Sequence, residues 1–376
     1  MKLLKNFGTI AISDTTSGAI SAFFWLYLAT FLTVSDYGEV QLLIGIAGLS
    51  LAISLIANNN TIIVYEVKDR GLRGTLFLFS LIIAAIVSVI LFILYSRLDI
   101  ILLTFGMICG EVLLGYFVGK KLFSKYGIFL IFQKGLMLLL AIGLYFWIGL
   151  EGIIYGIGLS YLPLIIMSIV ILKNFSFNFS LLKKNFGFIF NNYVIRLITI
   201  SRRNLDKILI VPILGFQVLG EFTLAFQVYL LLNLFASMTF KFLLVNDSEG
   251  KNSNKFIVII LLISIIISVF GIILGPEIIP ILFPQFINSV EIIPILSLAV
   301  IPNIIILIFT SKFLGDEKSR FIILGTLIHA ISYLLLVVLL GLEYGLLGIS
   351  IGFLTSSIIY ACYLTIMYKM QKEKIS

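Results

Sequence analysis

Charge is what this sequence has least of: 12% of its 376 residues are Asp, Glu, Lys or Arg, against 61% apolar. That balance excludes a soluble globular domain, in which roughly a quarter of the residues are charged. Two cysteines and one histidine exclude a disulfide framework and a His/Cys metal centre. Cys109 and Cys362 both fall in apolar runs, where they read as small packing residues. No G-x-x-x-x-G-K-[ST] loop cradles ATP phosphates, since Gly115, Gly119 and Lys120 approach it in appearance only, and no G-x-S-x-G elbow is present. Nothing argues for chemistry on a substrate, and a non-enzyme with no cofactor is expected. The net charge of +8 does not indicate nucleic acid, because the basic residues are not gathered on one soluble face. They sit between the apolar runs.

Those runs are what the chain has in abundance. Hydropathy predicts about twelve transmembrane spans, at 8–34, 38–64, 75–96, 100–119, 126–149, 152–172, 186–213, 218–245, 256–275, 290–313, 321–341 and 345–368. The apolar run after Lys2 and Lys5 is too long for a signal-peptide core and lacks an A-x-A-like cleavage site, so it reads as the first span. Placing both termini in the cytoplasm puts nearly every loop lysine and arginine inside and leaves Arg97 alone outside, as the positive-inside rule requires. A missing span would invert every later loop. The stretch GPEIIPILFPQF, Gly275 to Phe286, is apolar and interrupted by proline, and is expected to form a re-entrant or interfacial piece.

The chain repeats itself. Asp36-Tyr37-Gly38-Glu39 after span one matches Val218-Leu219-Gly220-Glu221 after span seven at an offset of 182, and Gly149-Leu150-Glu151 matches Gly341-Leu342-Glu343 at an offset of 192. The matches keep their order, which supports a parallel six-plus-six architecture. The expected division is an N-lobe over 1–180 and a C-lobe over 181–376. Under these offsets Asp14 corresponds to Arg196, Ser21 to Arg203 and Glu111 to Asn303, so acids gather in the first half and bases in the second.

Span seven, FGFIFNNYVIRLITISRRNLDKILIVPIL, is long enough to cross a bilayer, yet it carries Arg196, Arg202, Arg203 and Lys207 against Asp206. Each charge near mid-membrane costs about 2.5 to 3.5 kcal/mol on insertion scales, so these side chains must face protein or water. At ~100° per residue, Asn192, Arg196, Thr199, Arg203, Asp206 and Lys207 share an arc of about 100°. The alternative is an interfacial segment with a shorter span. Arginine's planar fork of donors matches phosphate oxygens, which points to a pyrophosphate-linked substrate for this cationic stripe.

Four further ionisable residues inside spans are candidates. Asp14 is either a structural ion-pair partner, for instance of Arg196, or a gating or coupling group. Glu111, near the centre of its span, is the candidate for coupling to a proton or sodium ion. Lys134, beside Gln133, either lines the substrate cavity or snorkels to the interface. His329 is a coupling candidate set against a plain packing histidine.

Twelve spans in two halves, the Asp36-Tyr37-Gly38 turn, Asp206-Lys207 followed by Gly220-Glu221-Phe222, and Gly345 to Gly348 before the last span together resemble the Wzx oligosaccharide flippases of the MOP exporter superfamily. The resemblance implies an all-α integral-membrane fold of two six-helix lobes related by a pseudo-two-fold, MATE-like, alternating around a cationic cavity. It also implies a polyprenyl-pyrophosphate-linked oligosaccharide as cargo, moved from the cytoplasmic to the outer leaflet for surface-polysaccharide assembly, with polysaccharide polymerases as partners. Two other classes stay open. A drug or cation antiporter of the same superfamily calls for an acidic lumen, and a membrane glycan polymerase or ligase calls for a large external loop.

Overall fold

The computed structural model describes residues 2–56, 59–67, 71–172, 178–236, 239–240, 243, 247, 254–316 and 318–373; the side chains of 2–7, 60, 67, 172, 202–203, 254–255 and 372–373 lie outside that description. Among the described residues, all regular structure is helical. In chain order the helices are α1 (Lys2–Ala29), α2 (Val34–Ser54), α3 (Asn59–Val67), α4 (Arg73–Tyr95), α5 (Leu98–Gly119), α6 (Phe123–Ile148), α7 (Leu150–Leu159), α8 (Leu162–Leu172) and the short α9 (Phe179–Lys184). They continue with α10 (Phe186–Leu232), α11 (Asn254–Leu282), a 3₁₀ turn at Pro284–Phe286, α12 (Ser289–Leu298), α13 (Val300–Gly315) and α14 (Ser319–Glu373).

Length separates these helices into spans. A helix of 47 residues runs about 70 Å and one of 55 about 80 Å, each more than twice a hydrocarbon core of about 30 Å. Both break at a glycine. Gly215 (φ 86°, ψ 175°) and Gly345 (φ 56°, ψ −130°) adopt backbone angles that a Cβ would oppose, and each turns one apparent helix into two spans. Nine stretches among the described residues are long and apolar enough to cross a membrane. Dividing α10 and α14 at their glycines and adding α1, 28 residues long, brings the count to the expected twelve.

Several spans are interrupted where the sequence reads as continuous. The predicted span two divides into α2 and α3. Pro163, without an N–H for the Leu159 carbonyl, marks the α7/α8 break, and Pro302 marks the α12/α13 break at Ala299 in the same way. The stretch expected as a re-entrant or interfacial loop is mostly helix: α11 continues through Pro276 and Pro280 to Leu282 before the 3₁₀ turn.

The exposed side chains identify the solvent. Ile86, Val89, Ile90 and Ile93 on α4, and Ile259, Leu262, Ile266 and Ile273 on α11, stand open at helical spacing, with Ile93 74% exposed. Such stripes are stable against lipid chains and costly against water. The opposite faces bury Leu76, Phe77 and Ala84 on α4, and Ser264 and Ser268 on α11.

The structure confirms the repeat and corrects its second offset. A Cβ on Gly38 would overlap the carbonyl oxygen of Phe216, and a Cβ on Gly220 that of Val34. These are one contact and its mirror at 182, since Val34 corresponds to Phe216 as Gly38 does to Gly220. The pair has the reciprocity of a two-fold interface. Later in the chain the offset is 196, one helical turn beyond the expected 192. Gly149 and Gly345 are both turns of positive φ, at 74° and 56°. Gly152 packs on the Leu144 carbonyl as Gly348 does on that of Leu340, and Gly156 meets Leu140 as Gly352 meets Leu336. The turns after α5 and α13 agree, with Leu122 N–H donating to the Phe117 carbonyl and Lys318 N–H to that of Phe313. Glu111 therefore corresponds to Leu307 and has no polar counterpart at Asn303. The Gly-Leu-Glu match misled because Gly341 lies one turn before the true break.

The chain divides into two compact units that exchange segments relative to the expected 180/181 boundary. Unit 1 comprises Met1–Phe24 and Leu42–Leu205; unit 2 comprises Trp25–Gln41 and Asp206–Ser376. Helices α1, α2 and α10 each contribute to both. The α1–α2 turn belongs to unit 2 because its Gly38 face is the one packed on Gly220. In unit 1 the core is Leu51, Leu55, Ile62, Leu72, Leu76 and their neighbours on α2 to α5. In unit 2 separate clusters form around Ile260 and Ile304, and around Phe313 and Tyr360.

Candidate functional site

In unit 1 the polar residues converge on α5. Its small residues let neighbours approach: a Cβ on Gly106 would come within 2.7 Å of the Tyr161 Cβ, and one on Gly115 within 3.2 Å of the Asn59 carbonyl. Tyr161 and the start of α3 thus lie on either side of Glu111. The Asn59 amide donates to the Glu111 carbonyl at 3.4 Å. From α10, Arg196 Nη2 donates to Glu111 Oε1 at 2.8 Å, with the two side chains 32% and 27% exposed. Glu111 Oε2 and Arg196 Nε are buried without a hydrogen-bond partner among the described residues. An intramembrane carboxylate and guanidinium neutralise one another here, which offsets much of the cost of placing either in a span.

A cavity of about 180 Å³ opens beside this pair. Glu111, Gln133, Lys134 and Tyr161 line it between Leu51, Leu114, Leu130 and Leu164. Gln133 is fixed, its amide donating to Ser160 Oγ at 2.8 Å while that hydroxyl donates to the Ile157 carbonyl at 2.6 Å. Lys134 is held loosely. Its ammonium reaches Met137 Sδ at 4.0 Å and forms no ion pair with a described carboxylate.

Asp14, also in unit 1, accepts from the Tyr126 hydroxyl at 2.6 Å, and Arg196 is engaged by Glu111. α6 approaches α1 closely here, because a Cβ on Gly127 would overlap Ser13 Oγ. Asn192 donates to the Phe188 carbonyl at 2.9 Å within its own helix. The side chains of Arg202 and Arg203 lie outside the described residues.

The stripe continues into unit 2, with the division falling between Leu205 and Asp206. Asp206 is buried, accepts from the Tyr333 hydroxyl of α14 at 2.9 Å and from the Lys207 N–H at 2.8 Å. Lys207 Nζ donates to Gln41 Oε1 at 2.8 Å. His329 is buried with its ring 5.3 Å from that of Tyr360. Of the sequence-predicted residues, Asp14, Glu111, Lys134, Asn192 and Arg196 belong to unit 1, and Asp206, Lys207 and His329 to unit 2.

Four participants escape a reading that looks for charge. Tyr126, Tyr161, Tyr333 and Gln41 are polar residues within apolar runs, and tyrosine inside a span is too common to single out. Gln41 left the clearer signal, as an amide within the first turns of span two. Glu221, seen in sequence as a repeat marker, is a buried cap: it accepts from the Ser289 N–H at 2.9 Å, the Ser289 hydroxyl and the Asn288 amide, at the start of α12. A carboxylate is favoured there by the helix dipole.

An all-helical membrane chain of two repeats, with charged side chains paired inside its spans, is the class that fold and sites define. Among solved structures, the chain is similar to an inward-facing multidrug resistance MATE family transporter of the MOP superfamily, at TM-score 0.72 and 16% identity over 95% of this chain and 94% of that one. It is similar to the lipid II flippase MurJ in an inward closed conformation, at TM-score 0.72 and 17% identity over 96% and 87%. A Vibrio cholerae MATE transporter matches at TM-score 0.66 and 14% identity over 99% and 98%. These likenesses are of fold. No protein-family model and no curated protein sequence matches the chain.

Proposed function

We propose that this protein is a flippase that moves a polyprenyl-pyrophosphate-linked oligosaccharide from the cytoplasmic to the outer leaflet by alternating access, in a cytoplasmic membrane with both termini inside. The observation that carries this reading is Arg196, an intramembrane guanidinium that is 32% exposed and offers only one nitrogen to Glu111. Its remaining donors suit the oxygens of a phosphate. Lys207, and by sequence Arg202 and Arg203, add positive charge along the same helix. The fold shared with a lipid II flippase supports a lipid-linked cargo.

Fold likeness to multidrug transporters favours a second reading, a drug or cation antiporter. The pairing of Glu111 with Arg196 weighs against it, since a carboxylate already neutralised offers little to a cationic drug. Coupling to a proton or sodium gradient through Asp14, Glu111, Asp206 or His329, and association with polysaccharide polymerases, belong to the same proposal.

The test is flipping of a fluorescent polyprenyl-pyrophosphate glycan in proteoliposomes. Arg196→Ala is expected to lower the initial rate by about tenfold or more, the equivalent of one lost charge-assisted contact, and Arg196→Lys to fall between, because it keeps charge without the fork. Parent-like flipping by Arg196→Ala, with normal membrane abundance, sinks the reading.

A further inference from the structure

Glu111 and Lys134 line one cavity, and their bonding is complementary. The carboxylate uses Oε1 for Arg196 and keeps Oε2 buried and without a partner among the described residues, while Lys134 shares that cavity and has Met137 Sδ as its described contact. One acid therefore shares a cavity with a lysine of α6 while it is bonded to an arginine of α10. The flexible four-carbon stem of lysine, whose ammonium has no fixed donor plane, suits it to being the mobile member of the three.

We infer that Glu111 is a shared counter-ion, held by Arg196 in the state seen here and taken over by Lys134 when an anion claims Arg196. Lys134 is then a positioning residue that acts through Glu111 and does not touch the cargo. The exchange breaks one ion pair and forms another, moves no proton, and leaves no isolated carboxylate in the span while the guanidinium is occupied. That Arg196's anion is the cargo's pyrophosphate rests on the function proposed above; the exchange itself does not.

Two measurements on the purified full chain separate these points. In a thermal-melt cycle without ligand, Arg196→Gln alone and Lys134→Gln alone are each expected to shift the melting temperature little, since the other base remains. The double variant falls by more than the two single shifts added, and introducing Glu111→Gln into it restores most of the loss by removing the stranded charge. Lys134→Arg behaves as the parent. Additive shifts, or no recovery on adding Glu111→Gln, overturn the exchange.

Binding of undecaprenyl pyrophosphate in detergent, read by native mass spectrometry, then tests the ligand half. Lys134→Gln is expected to weaken it about tenfold in the parent background and not at all in the Glu111→Gln background. An equal loss in both backgrounds means that Lys134 contacts the lipid directly and overturns its positioning role. A parent chain that binds no polyprenyl pyrophosphate, with a non-additive thermal cycle, refutes the flippase reading and leaves the exchange standing.

Discussion

Among the described residues, several intramembrane charges are held by a side chain of another helix. Arg196 meets Glu111, Lys207 meets the Gln41 amide, Asp206 meets Tyr333, and Asp14 meets Tyr126. Each partner lies on another helix, at sequence separations from 85 to 166. Every pair thus fixes the rotation of one span against its neighbour as well as lowering the cost of a buried charge. The Tyr333 hydroxyl is the simplest to remove. Tyr333→Phe keeps the ring and leaves a buried carboxylate with one donor fewer, so we expect a loss of about 1.5 to 3 kcal/mol in stability, read as a lower melting temperature in detergent. The sequence shows which residues are charged and at what depth, and on that ground both Arg196 and Glu111 are site candidates. It could not show that they meet, because a bond between helices depends on their rotation and packing. The asymmetry that the repeat correspondences place between the intramembrane acids of the first half and the bases of the second is accordingly offset, since Arg196 of the second repeat serves the first repeat's acid in unit 1.

At the scale of elements, glycine sets both the turns and the closest crossings. Gly215 and Gly345 end one span and begin the next without a loop, and the Gly38/Gly220 crossing brings two equivalent helix starts into backbone contact. A methyl at either position would strike a carbonyl oxygen, which no rotamer change relieves. Gly38→Ala and Gly220→Ala are each expected to cost about 1 to 3 kcal/mol, and the double variant less than their sum, because one separation of the helices accommodates both methyls. Thermal melts of the three variants check this, and strictly additive losses argue against a single shared crossing. The glycine motifs were legible in sequence, and the 182 offset they gave is the structural one. The later offset is one turn longer than the Gly341-Leu342-Glu343 match predicts, because that tripeptide imitates the motif whose geometry belongs to Gly345-Leu346-Leu347-Gly348. Local identity cannot distinguish two glycines on the same helix face when only one of them has positive φ.

For the molecule as a whole, the charged turns set the expected orientation. Arg97 pairs with Asp99 at 2.6 Å at the start of α5, while Glu66 engages Arg73 at 3.0 Å and Lys120 at 3.5 Å near its other end. In a variant with Cys109 and Cys362 replaced by serine, single cysteines at Ser35 and Lys121 are expected to react with membrane-impermeant maleimide from opposite sides, Ser35 from outside and Lys121 from the cytoplasm. Labelling of both from one side overturns the twelve-span topology. Segment exchange between the units was beyond the reach of hydropathy. A boundary at 180/181 follows the repeat, whereas the assignment of Trp25–Gln41 to unit 2 follows from contacts such as Gly38 with Phe216.

The sequence by itself determined that this is a membrane chain of about twelve spans in two repeats with charge concentrated in span seven. Hydropathy, span length and the cost of a charge in lipid are local properties, additive along the chain. The tertiary structure decided the partners: that Arg196 belongs to Glu111, that Asp206 and Lys207 turn to a different unit, and that Lys134 shares a cavity with the acid Arg196 holds. Those outcomes depend on a few ångströms of helix approach and some tens of degrees of rotation, set jointly by glycine contacts and ion pairs far apart in the chain.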